Sequence, residues 1–310
     1  MSENMPRHAV VRTDAGGAFP PSGRGVRGGL SGRVHVSLMR SVRGEMRKLL
    51  SLRSTWIMLL LDFLALPAGG LILAFMMKLT NGTDMPAGQA PGLSASAYWS
   101  AIGSLYQVSA IIVAILGVMS VTADYTSSSI DSTLTANPHR GMVLAGKGVC
   151  VALVTWVASQ LSVLVSWACV QAVLSSEQNG PLEASMSRLP WVIILGTPAM
   201  LTLFAVMAVG IGALCRSTLG GVLVVFAVVM FIPTFLDIIS GFQRYFSWVA
   251  PLSRVFPMSL IASFLDANPP LPEQDMAFDP QWWQCGLLMV AWTAAFYIIG
   301  HIVMKVTDIK

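Results

Sequence analysis

Charge is scarce in this 310-residue sequence: Asp, Glu, Lys and Arg together make up 11% of it, against roughly 25% in soluble domains. A water-facing surface cannot be built from so few ionic groups when 55% of the residues are hydrophobic and the mean hydropathy is +0.68. Paired cysteines are missing too. Cys150, Cys169, Cys215 and Cys285 show no CxxC spacing, which argues against a disulfide framework or a zinc site. The histidines, His8, His35, His139 and His301, lack HExxH spacing, and neither GxSxG nor the phosphate-cradling GxxxxGK[ST] occurs. The chain therefore has no means of hydrolysing ATP in the P-loop manner, and no catalytic constellation stands out. No secretory signal is expected either, because residues 1–34 are rich in Gly, Arg, Ser and Pro without an apolar core. Such a segment cannot offset its ordering entropy and is expected to be a disordered cytoplasmic tail.

Long apolar runs are what the sequence has instead. Six of them approach the roughly 20 residues that cross a hydrocarbon core of about 30 Å: Trp56 to Met77, Ala101 to Ala123, Val149 to Leu174, Trp191 to Leu214, Leu219 to Ile239 and Cys285 to Val306. Backbone amides in lipid have no water to bond, so each run must be a helix. The expected fold is an all-α polytopic membrane protein, with residues 56–310 as its six-span domain.

The net charge of +4 does not form a basic stripe interleaved with aromatics, so nucleic acid is not an expected partner. The basic residues instead sit beside the apolar runs. With the N-terminus inside, fifteen Lys and Arg residues fall on the inner side and four on the outer, the asymmetry that orients membrane proteins. Both termini are then expected in the cytoplasm. Tyr98, Trp99, Trp191, Trp282 and Trp283 fall at the outer interface, where amphipathic rings collect.

Residues 35–55 read as an amphipathic interfacial helix: Met39, Val42, Met46 and Leu49 recur at three- and four-residue spacing, among Arg40, Arg43, Arg47 and Lys48. The outer segment from Gly241 to Gln284 exceeds what a hairpin needs. Two short helices are expected there, one carrying Phe242, Tyr245, Phe246 and Val249, the other Val255, Met258, Ile261, Phe264 and Leu265. Asp62, about two turns into the first span, is costly in a membrane and hence a functional candidate; its structural alternative is pairing with the basic inner ring or with polar groups of a neighbouring helix. Pro67 and Pro233 are expected bends. Gly210, Gly212, Gly220 and Gly221 are expected to let helices approach closely.

Two segments carry a resemblance. Arg43-Gly44-Glu45-Met46-Arg47-Lys48-Leu49-Leu50-Ser51-Leu52-Arg53-Ser54-Thr55-Trp56 is similar to the run that leads into the first span of actinobacterial permeases of the ABC type-2 exporter family. Asp124-Tyr125-Thr126-Ser127-Ser128-Ser129-Ile130-Asp131-Ser132-Thr133-Leu134, with Pro138 and Arg140, resembles that family's loop between spans two and three, with Asp124 in place of Glu and Ser128 in place of Gly. The resemblance implies a membrane subunit that pairs with a second permease, identical or related, in the lipid bilayer. It also implies two copies of an ABC ATPase subunit, through which ATP and Mg enter; this chain binds no cofactor itself. Coupling to the ATPase would run through Asp124, Tyr125, Ser128, Ile130, Leu134 and Arg140. Asp124 would cap a short helix over Tyr125 to Leu134. Arg43, Glu45, Arg47, Lys48 and Arg53 would serve the interfacial helix, by contact with the ATPase or with lipid headgroups. Asp62 and Pro67 are candidates for the translocation path, and the scarcity of charge in the spans suits an apolar or amphipathic cargo. Two other functions fit the composition: a membrane-embedded enzyme or protease using Asp62 and His301, and a non-transporting anchor or immunity protein.

Overall fold

The computed structural model describes residues 38–81, 95–126, 140–174, 187–240, 249–265 and 280–306. The expected tail over residues 1–34 lies outside them. Every regular element among the described residues is helical, and six stretches are long and apolar enough to cross a membrane. Their outward faces carry large bare side chains, among them Trp56, Ile57, Leu60, Leu64, Phe231, Phe235, Leu287 and Ile298. Apolar surface on that scale has no place in water, and the chain is an all-α, multi-pass membrane protein.

Helix α1 (Leu38–Ser51) is amphipathic and precedes the spans. The first span, α2 (Arg53–Asn81), follows after Leu52 alone. The second span is interrupted. A short α3 (Ala95–Ile102) passes through a turn at Gly103, Ser104 and Leu105 into α4 (Tyr106–Thr126), where the sequence suggested one continuous helix. Helix α5 (Arg140–Leu174) is the third span. At 1.5 Å per residue its 35 residues measure about 52 Å, well beyond a core of roughly 30 Å. It thus begins two to three turns ahead of the expected Val149, because Lys147 is neutralised by partners and need not mark a helix end.

The fourth span, α6 (Leu189–Cys215), contains a π turn at Val192–Gly196. The fifth, α7, joins Thr218–Phe226 to Ile232–Ser240 through a π turn at Ala227–Phe231. Each π turn ends two residues before a proline, Pro198 or Pro233, and widening the helix there accommodates a ring that donates no hydrogen bond. Pro67, by contrast, sits inside an unbroken α2. Short helices α8 (Val249–Ser253) and α9 (Pro257–Leu265) precede the sixth span, α10 (Trp282–Val306). The second of the two expected outer helices is thus found as α9. Of the first, Val249 opens α8, and residues 242–248 are outside the described set.

Helix α6 is the hub. It packs on α4, α5 and α10, and Leu201, Phe204, Met207 and Ile211 are fully buried along it. Close approach is enforced by small residues: a Cβ on Gly210 would stand 2.6 Å from the backbone of Phe296, and one on Gly212 would stand 3.0 Å from the Val118 carbonyl. Helices α7 and α10 are the least enclosed spans. Arg216 ends α6 in the left-handed conformation, φ 52°. Its guanidinium is turned inward, donating from Nη2 to the Val303 carbonyl at 3.2 Å, so it ties the α6–α7 corner to the end of α10.

Where backbone bonding breaks, α5 repairs it. Pro67 cannot donate to the carbonyl of Phe63, four residues earlier, and Ser162 Oγ donates to that oxygen at 2.8 Å. Pro198 likewise frees the carbonyl of Ile194, which accepts from Gln160 Nε2 at 3.1 Å. The α3–α4 turn frees the carbonyl of Ile102, which accepts from Ser166 Oγ at 2.7 Å. Non-helical or broken backbone at membrane depth persists only where protein groups satisfy it, and α5 supplies three such groups, Ser162 and Ser166 from one face and Gln160 from the other.

Candidate functional site

The end of the bundle that carries α1 gathers most of the ionic groups the spans possess. Helix α1 lies across the start of α5, turning Leu49 inward while Val42 and Met46 are half-buried and Met39 stays exposed. The crossing is close: a Cβ on Gly146 would lie 2.9 Å from Ser41 Oγ, and the Cys150 thiol donates to the Val42 carbonyl at 3.2 Å.

Four side chains from three elements lock this crossing. Lys147 of α5 donates from Nζ to Glu45 Oε2 of α1 at 2.8 Å, to Asp124 Oδ2 of α4 at 2.7 Å, and to the Ser120 carbonyl at 3.1 Å. Lys48 of α1 closes the circuit on Asp124 Oδ1. Lys147 and Asp124 are nearly dry, with side chains 7% and 4% exposed, while Lys48 is 38% exposed. Two acids and two lysines cancel, so the cluster attracts no net counter-charge; its chemistry is that of a joint, holding α1, α4 and α5 in one register. Beneath it a cavity of about 40 Å³ is floored by Leu49, Leu52, Met58, Leu116 and Met119, which is room for about two or three waters.

The sequence-derived candidates divide accordingly. Glu45, Lys48 and Asp124 belong to the cluster. Asp124 lies in the last turn of α4, where its carboxylate is occupied by two ammonium groups; Tyr125 follows it in α4 and packs against the core, and the rest of the expected helix up to Leu134 lies outside the described residues beyond Thr126. Ser128, Ile130 and Leu134 lie outside the described residues. Arg140 opens α5, and its side chain is not among those described. Arg43, Arg47 and Arg53 are exposed. Lys147 had a signal only as a positive charge beside an apolar run; nothing in its neighbours announces two carboxylate partners.

Deeper in the bundle Asp62 is 1% exposed. Its carboxylate accepts from Ser109 Oγ of α4 and from Ser159 Oγ of α5, the latter at 3.0 Å. Of its two structural alternatives, polar groups of neighbouring helices are the partners. Pro67 is just over one turn further on, and the Phe63 carbonyl that it leaves without a donor is held by Ser162. The serines escaped the sequence reading, although Thr155, Ser159, Ser162 and Ser166 recur at four- and three-residue spacing and all are fully buried. His301 packs over Gly141 at the α1 end, and no hydrogen bond joins it to Asp62 among the described residues.

No protein-family model and no curated protein matches this sequence.

Proposed function

We propose that the chain is the membrane subunit of an exporter driven by a separate ATPase, with the α1 end on the cytoplasmic side. The observation that supports this is the meeting of the two segments that carry the family resemblance. Glu45 and Lys48 come from the first and Asp124 from the second: Lys48 pairs with Asp124 directly, 76 residues away in sequence, and Lys147 bridges Glu45 to the same carboxylate. A displacement applied between α4 and α5 is therefore felt by α1 and by the start of α2, because buried ion pairs resist separation. That is the property a coupling element requires: a soluble partner biases one end, and packed helices respond between discrete arrangements. On this reading the part exposed to the ATPase is the segment after Tyr125, while Asp124 transmits rather than contacts. The exposed Arg43, Arg47 and Arg53 remain free for anionic headgroups, and an apolar or amphipathic cargo suits spans in which, among the described residues, Asp62 and Asp124 are the buried carboxylates.

The test is affinity capture of the full chain from its native membrane, followed by mass identification and an ATPase assay. The expected outcome is an ABC ATPase that co-purifies in wild type and is lost when Ile130→Ala and Leu134→Ala are combined, beyond the core-packed Tyr125. Capture without any nucleotide-binding protein, or maleimide labelling of a cysteine at position 128 from outside intact cells, would defeat the proposal.

A further inference from the structure

Asp62 poses a charge problem that its neighbours leave unsolved. Its carboxylate lies inside the first span with two hydroxyl donors, and among the described residues no Lys, Arg or His forms an ion pair with it. The charged groups on elements packed against α2 are Arg40, Arg43, Glu45, Arg47 and Lys48 on α1, Asp124 on α4, and Arg140 and Lys147 on α5; α3 has none. Of these, Glu45, Lys48, Asp124 and Lys147 are committed to one another at the α1 end. Lys147 stands twelve residues before Ser159 on α5, about 18 Å along the helix. Hydroxyls supply hydrogen bonds but no charge, so an ionised Asp62 leaves a negative charge uncompensated where the dielectric is low.

A second observation points the same way. Thr155, one turn from Ser159 on the same face of α5, is fully buried, and its hydroxyl has no hydrogen-bond partner among the described residues. The seam between α2, α4 and α5 thus offers a carboxylate and three hydroxyls, all hard oxygen donors, with one negative charge among them. Such a set suits a hard cation, and its single charge is balanced by a monovalent one, whereas a divalent ion would leave an excess.

We propose that Asp62, with Ser109 and Ser159, binds one monovalent cation, Na⁺ or H⁺, between the first three spans, and that its occupancy holds those spans together. Serine hydroxyls serve either occupant, accepting toward a sodium ion or bonding a carboxylic acid. The site is independent of the export reading, because its test reads stability and protonation rather than transport.

Full-length protein in nanodiscs is melted near pH 8 while NaCl replaces choline chloride at constant ionic strength. In parallel, with choline alone, infrared difference spectroscopy follows the carboxylic acid C=O band between about pH 8 and pH 5. Sodium as occupant gives a saturable rise in melting temperature of about 2 °C or more. A proton as occupant gives instead a carboxylic acid band that is absent from Asp62→Asn. Ser159→Ala keeps the carboxylate and moves a sodium response to higher concentration. It moves a proton response to higher pH, since a donor to the ionised form is lost. Wild type with neither a sodium response nor such a band overturns the proposal, as does a response that Asp62→Asn leaves unchanged. The wild-type measurements and Ser159→Ala decide the matter if Asp62→Asn does not fold.

Discussion

Replacing Lys147 by Met removes the cation at the centre of the α1 joint while keeping most of its volume. Glu45 Oε2 and Asp124 Oδ2 then lose partners at 2.8 and 2.7 Å, with side chains 12% and 4% exposed. Breaking a buried ion pair by deleting one partner costs about 3–5 kcal/mol, because a charge is left without compensation. Here the lower end applies: Lys48 still holds Asp124, and the adjoining cavity admits water, so Glu45 bears most of the loss and the expected destabilisation is about 3 kcal/mol. The measurement is an unfolding titration of the full chain in bicelles, run as a double-mutant cycle with Glu45→Gln. If the carboxylate's isolation is the cause, Glu45→Gln restores much of the stability lost in Lys147→Met, with a coupling energy of about 1–3 kcal/mol. The exposed Arg43→Gln is the control and stays within about 0.5 kcal/mol of wild type. A loss below about 1 kcal/mol for Lys147→Met, with additivity in the cycle, refutes the claim that these charges lock α1 to α4 and α5.

Two further perturbations probe the packing. Ser162→Ala leaves the Phe63 carbonyl without a donor and is expected to cost about 0.6–2 kcal/mol, in line with hydrogen bonds between membrane helices. In Pro67→Ala the helix supplies its own donor to that carbonyl, so the same serine deletion should cost less; equal costs in both backgrounds would contradict the repair. Gly146→Val drives a side chain into Ser41 and should lift α1 from α5, exposing Cys150 to a membrane-permeant maleimide at least about tenfold faster, since reactivity follows access; unchanged labelling would mean the crossing is looser than its geometry.

The one-dimensional features of the fold could be read directly. Apolar length located the six spans to within a few residues, except where the second begins at Ala95, six residues ahead of Ala101, and where α5 runs back to Arg140 past a neutralised Lys147. Of Met39, Val42, Met46 and Leu49, which their spacing put on one face of α1, Leu49 is buried and Val42 and Met46 are half-buried, whereas Met39 at the helix start stays exposed. The break at Gly103 to Leu105 was hidden, because an apolar run looks the same whether its backbone is continuous or relies on Ser166 to hold a freed carbonyl. The π turns before Pro198 and Pro233 were hidden for the same reason. At the site, Asp62 and Asp124 drew notice as acids beside or inside spans, but their partners did not.

Sequence alone determined that this chain lives in a bilayer as helices, six of them among the described residues, since hydropathy and length are sums over neighbouring residues and a continuous apolar run of about 20 residues bonds its own backbone in lipid only as a helix. Tertiary structure alone decided that Lys147 answers both Glu45 and Asp124, and that Ser159 and Ser109 converge on Asp62. Those pairings join residues dozens to a hundred positions apart. They depend on which faces of which helices meet, and a helix's own periodicity shows which side is polar without saying what lies across from it.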